Sequence, residues 1–197
     1  MGYMDTGDGY PAHPRGQSFR PRGFRLHGRA LRGGTVKGTV VYDSYYGNTK
    51  QVAEAIADEL KAEGHDAEVR SIREHHRAEP GGDVMFLGSP VRMGSVTGRV
   101  KRFVKKLDAN LLKSTRLVVF TTTLKLPDDA SDEKRQAQDK YDRAAGRKLR
   151  DLAREQGLLA VDDHLWAEVA GMKGPLTEEA LPKTKQFTHD VLRSLTS

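Results

Sequence analysis

The sequence predicts a three-layer, doubly wound α/β domain on a five-stranded parallel sheet, and three observations lead there. From Lys37 onward, short apolar runs alternate with amphipathic helical patterns, which implies parallel strands joined by right-handed crossovers. The first strand passes through a short polar loop straight into a helix, placing free backbone N–H groups and the positive end of a helix dipole where an anion could sit. Finally, five candidate strands, with that anion loop after the first, match the doubly wound order 2-1-3-4-5.

The first strand is expected over about Gly38–Tyr42, with Thr39, Val40 and Val41 as its β-branched run. The loop Ser44-Tyr45-Tyr46-Gly47-Asn48-Thr49 follows. A helix to about Glu63 then carries Val52, Ala53, Ile56, Ala57 and Leu60 on one face and stops at Gly64. Ala67–Ile72 is more polar, as an edge strand should be. The connector Glu74-His75-His76-Arg77 reads as a solvated loop, because adjacent histidines cannot share a helix face as metal ligands. Asp83–Leu87 is continuously apolar and predicts a strand covered on both faces. Val96–Leu107 predicts a helix with Val96, Val100, Phe103, Val104 and Leu107 inward. Its outer basic residues read as a solvated face, or as a surface for an acidic redox partner. Arg116–Thr121 is the fourth strand. About Ser131–Glu155 is a charge-laced helix with Ala137, Tyr141, Ala145, Leu149 and Leu152 toward the sheet, ended by Gly157. Leu158–Val161, continued toward Leu165-Trp166, is the fifth strand, and Thr184–Leu195 the closing helix.

At 197 residues the chain suits one domain with an appendage. No apolar run is long enough to span a membrane, and no signal-peptide pattern opens the chain. The lack of cysteine excludes disulfides, thiolate metal sites and iron–sulfur ligation, so a cytoplasmic protein is expected. The net charge of +6 is unevenly spread: residues 1–36 hold six Arg, eight Gly and three Pro against two Asp, with no Lys, Glu or Ile. That stretch is expected to be a disordered tail or a non-native extension, with the folded domain over 37–197. As an Arg/Gly arm it could touch RNA, but binding of nucleic acid by the domain itself is not expected.

The DSYYGNTK segment, lying between the first strand and the first helix, resembles the phosphate loop of the flavodoxin family. LGSPVRMG and VVFTTTLK fall where that family places its second and third FMN loops. Flavodoxin is itself the type example of the 2-1-3-4-5 order, so the order and the resemblance are not independent. The resemblance implies FMN as cofactor and a flavodoxin-like fold. Ser44, Tyr45, Tyr46, Gly47, Asn48 and Thr49 would cradle its phosphate. Ser89, Pro90, Val91, Arg92, Met93 and Gly94 would run along one side of the ring, and Thr121, Thr122, Thr123, Leu124 and Lys125 would flank the other. Arg92 and Lys125 could stabilise negative charge on a reduced ring or sit as surface cations. Members of the family that carry electrons commonly sandwich the ring between aromatics of the second and third loops, and here those loops contain none.

The resemblance implies electron transfer to a redox partner protein or a small quinone-like acceptor, with no catalytic side chain assigned. SPVRMG also resembles the loop of flavodoxin-like quinone reductases and of the menaquinone-linked protoporphyrinogen oxidase. An FMN-dependent oxidoreductase is therefore the second reading, and a flavin-free regulatory or RNA-contacting domain the third.

Overall fold

A computed structural model of the chain describes residues 34–74 and 82–196. Ten elements follow in order: β1 (Lys37–Tyr42), α1 (Asn48–Ala62), β2 (Asp66–Ser71), β3 (Val84–Arg92), β4 (Ser95–Val96), α2 (Gly98–Val104), β5 (Arg116–Leu124), α3 (Asp132–Glu155), β6 (Leu159–Val169) and α4 (Ala180–Thr196). The strands are ordered β2-β1-β3-β5-β6, with two-residue β4 paired antiparallel to the end of β3. Without β4, this is the expected order 2-1-3-4-5, and the four remaining pairings are parallel.

Alternation along each strand builds the three layers. Val40 and Phe86 face α1 and α4, where Val52, Ile56, Leu60, Phe187 and Val191 complete one core. Val41, Met85 and Leu87 face the other way, toward Val100 and Val104 of α2 and Leu149 of α3. These side chains are close to fully buried, and each contributes about 1.5–3 kcal/mol by leaving water. Because β1, β3 and β5 are parallel, their C-terminal ends emerge along one edge of the sheet.

Three expectations need correction. The third and fourth strands run further than their apolar cores suggest. Pairing of β3 with β5 continues through Ser89↔Thr121 and Pro90↔Thr122, so Thr122 and Thr123, like Thr121 before them, are buried strand residues rather than loop. Backbone pairing, indifferent to side-chain polarity, carries the ladder past the last apolar residue. Second, the inward stripe of α3 is turned from the expected one: Asp142, Ala145, Gly146, Leu149 and Ala153 are buried, while Tyr141 is exposed. Third, Val36 is not tail. Its side chain is buried in the α1–α4 core, and its carbonyl accepts the Asp66 N–H at 3.0 Å. Residues 1–33 and the paired histidines His75 and His76 lie outside the described residues.

Truncation separates the tail from the domain. A chain beginning at Gly34 is expected to unfold at the same urea concentration as the full chain. One beginning at Lys37 should lose about 1.5–3 kcal/mol with the Val36 side chain, seen as a lower midpoint at unchanged slope.

Candidate functional site

Where β1 ends, Asp43 is fully buried. Its backbone N–H donates to the Gly88 carbonyl at 3.0 Å. One carboxylate oxygen accepts Arg73 Nε at 2.9 Å, and the other accepts the Thr97 hydroxyl at 2.8 Å with Arg99 Nη1 at 3.5 Å. Thr97 also caps α2 by accepting the Val100 N–H. A carboxylate beside an apolar strand was the only signal of this role, and the sequence reading assigned Asp43 none.

The loop after Asp43 is braced by its own polar groups. Ser44 Oγ accepts the Gly47 N–H at 3.0 Å. Gly47 stands at the helix N-cap with φ 88°, a left-handed conformation that costs other residues strain. Asn48 Nδ2 donates to the Lys173 carbonyl at 3.2 Å, and Thr49 and Thr122 share a hydrogen bond at 2.9 Å. The side chains expected to reach an anion are thus partly engaged in holding the loop. The start of α1 has no side-chain cap and no acidic residue in its first turn. Its opening amides, at Asn48, Thr49 and Lys50, therefore have no intrahelical acceptor.

The second wall is a hairpin rather than an open loop. Val91↔Val96 and Arg92↔Ser95 pair, leaving Met93 and Gly94 as a two-residue turn with φ 49° and 69°, the sign pattern of a type I′ turn. Met93 is 99% exposed. Gly94 lies against the Tyr141 ring so closely that a Cβ there would come within 1.7 Å of it. Arg92 stacks its guanidinium 4.7 Å from the Tyr45 ring centroid, with Arg73 at 4.6 Å and Arg99 at 5.7 Å.

Between these walls and β5 lies a cavity of about 420 Å³. Of the residues singled out from the sequence, all but Gly47, Ser89, Thr121 and Lys125 line it. Ser89 is instead a buried brace, accepting the Thr97 N–H and donating to the Pro90 carbonyl. Thr121 donates toward the Leu165 carbonyl, and Lys125 pairs with Asp128. Sequence reasoning missed Gln138, Tyr141 and Asp142 of α3, together with Val169 and Met172. Tyr141 had been placed in the core by helical periodicity, and the rest carried no local signal. Trp166 stays outside the lining, between Arg143 and Lys183.

Asp142 is the one strongly perturbed titratable group in the cavity wall among the described residues. Burial pushes its carboxyl up to about 6, against the Gln138 amide that donates to both carboxylate oxygens. Asp139 and Glu168 raise it further, while a hydrogen bond with Thr123 opposes the shift.

A model of the flavodoxin domain matches residues 39–173. The chain belongs to the flavodoxin family. Solved structures similar to this chain include a flavodoxin from the domain Archaea, at 18% identity and TM-score 0.57 over 82% of this chain and 99% of that one. Another is oxidised flavodoxin 1 of Bacillus cereus, at 21% and 0.58 over 80% and 97%. The rubredoxin:oxygen oxidoreductase of Desulfovibrio gigas aligns at 14% and 0.57, over 81% of this chain but 36% of that one. At these identities the structural likenesses show the fold, and membership rests on the domain match. No curated protein matches the chain.

FMN is the family's cofactor and electron transfer its function, and the residues here fit that group. An uncapped helix start without acidic neighbours suits a phosphate. The cavity's size lies within the roughly 300–1,000 Å³ of small-molecule sites. Its lining includes Tyr45, Tyr46 and Tyr141, so aromatic surface missing from the second and third loops is supplied by the first loop and α3.

The raised carboxyl fixes a sign for stability. Asp142 binds its proton more tightly folded than unfolded, so its contribution is fully present below about pH 4 and is lost as pH rises through about 6. Asp142→Asn should therefore make the flavin-free protein more stable at pH 7.5, by about 1–2 kcal/mol. The gain should vanish near pH 4 in urea unfolding.

Proposed function

We propose that this protein binds FMN in the cavity between α1, the β3–β4 hairpin and β5, and passes electrons to a partner protein. The reading rests on one observation: the uncapped start of α1 opens into a cavity lined from the C-terminal ends of β1, β3 and β5. The backbone amides of Asn48–Lys50, with the Ser44 hydroxyl beside them, would hold the phosphate. Tyr45, Tyr46, Tyr141, Leu124 and Met93 would pack the flavin ring and exclude water, with Arg92 as the nearby cation. Bound FMN would supply one- and two-electron chemistry, and the protein would supply position and electrostatics. The cysteine-free composition supports a cytoplasmic setting; no described helix is long and apolar enough to cross a membrane.

One observation favours a second reading, an FMN-dependent oxidoreductase acting on a quinone-type substrate. Asp142 places a carboxyl that titrates near neutrality in the cavity wall, a group suited to handling a proton beside a reacting ligand. Quinone turnover driven by NAD(P)H without a partner protein would support this reading over the carrier.

Purified protein, or apoprotein mixed with FMN and then freed of unbound flavin by gel filtration, is expected to show the flavin absorption bands; protein that stays colourless after that treatment would overturn both readings. Asn48→Asp should weaken FMN binding by about 1–3 kcal/mol, or roughly 5- to 150-fold in Kd. It removes the donor to Lys173 and sets a carboxylate at the helix start. Fluorescence titration of the variant reads this directly.

A further inference from the structure

We propose that the β3–α2 face beside the cavity mouth is a docking surface for an acidic redox protein, centred on Tyr45 and the three arginines around it. The proposal rests on the electron-transfer reading above and names the kind of partner that reading requires. Arg73, Arg92 and Arg99 approach the Tyr45 ring from the β2 end, the hairpin and α2 respectively. Asp43 beneath them is fully buried and offsets part of their charge without presenting an anion to solvent. The surface is therefore a fixed cluster of cations around a half-exposed phenol.

The charge continues along α2. Between Asp83 and Asp108 the chain carries Arg92, Arg99, Lys101, Arg102, Lys105 and Lys106 and no acidic residue. Arg99, Arg102 and Lys106 recur at spacings of three and four, so they line one side of α2 and the turn after it. A field of this sign and extent accelerates and orients encounter with an acidic protein.

A small anion would use the arginines and leave the rest of the mouth bare. Met93 is 99% exposed, Met172 77% and Tyr141 57%, and all three border the cavity. Tyrosine, methionine and arginine are the residues enriched at the centres of protein interfaces. An apolar rim flanked by a cationic face matches a protein partner that covers the mouth and brings carboxylates to the arginines. The layers also supply an internal contrast, since α2 and α3 pack on one side of the sheet and α1 and α4 on the other.

The test is a calorimetric titration of the holoprotein with a plant-type [2Fe–2S] ferredoxin, a small acidic carrier, and separately with basic cytochrome c. Saturable ferredoxin binding that weakens from low to physiological salt is expected, with no binding of cytochrome c. Arg102→Glu with Lys106→Glu, which leaves the cavity lining intact, should weaken ferredoxin about tenfold. Lys61→Glu with Lys185→Glu makes the same change in net charge on the α1–α4 side and should weaken it by less than about twofold. Equal effects of the two pairs, or no ferredoxin binding, would overturn the proposal. Tighter binding of a short single-stranded RNA, abolished by the α2 pair, would also overturn it by assigning the face to nucleic acid. Flavin absorbance of the same sample reports on the FMN reading separately, and the titration reads docking whether or not flavin is bound.

Discussion

The site depends first on the buried carboxylate of Asp43. It sits at the C-terminal end of β1 with no solvent of its own, and a charge so placed is tolerated only with partners. Its partners come from separate parts of the chain: Arg73 beyond β2, Thr97 at the start of α2 and Arg99 within it. Satisfying one carboxylate therefore sets where α2 begins and where two guanidinium groups stand. Those groups, with Arg92 from the hairpin, hold the Tyr45 ring at the edge of the cavity. A demand for hydrogen bonds in the interior is thereby converted into charge geometry at the surface.

The phosphate-loop side chains show the same economy of polar groups. Asn48 ties the start of α1 to the turn after β6, and Thr49 ties it to β5 through Thr122. Gly174 stands against the Asn48 amide at φ 107°, where a Cβ would come within 2.5 Å of it. These links make the cavity walls one braced unit. They also leave backbone amides, rather than side chains, as the main donors at the helix start. An anion bound there would meet groups whose orientation is already fixed by α1, which lowers the ordering cost of binding.

The β3–β4 hairpin and the first half of α3 meet where no strand covers them. Gly94 admits the Tyr141 ring at close range, and the next residue of α3, Asp142, is buried in the cavity wall between Gln138 and Thr123. An aromatic surface and a titratable carboxyl thus enter from an element whose sequence reads only as an amphipathic helix. The helix is 24 residues long, and in its first half Gln138, Tyr141 and Asp142 line the cavity rather than the apolar core.

The layers and the first loop were legible from residues alone, because they follow from local signals, whereas the strand order was legible only together with the family resemblance. Val40 and Val41 alternate between two cores, Leu60 and Ile56 share a helix face, and Gly47 marks the one left-handed position between β1 and α1. Those signals are carried by neighbours in the chain, so a single sequence suffices to read them. Ser89 and Thr121, read from the sequence as ligand groups, are engaged in internal hydrogen bonds, since what a hydroxyl bonds depends on which strand lies beside it. Tyr141, Asp142 and Met172 reach the cavity from segments far along the chain. Sequence determined the fold and where the anion loop lies in it. Tertiary packing alone decided which polar groups remain available there, because burial and partnership are properties of contacts between distant residues.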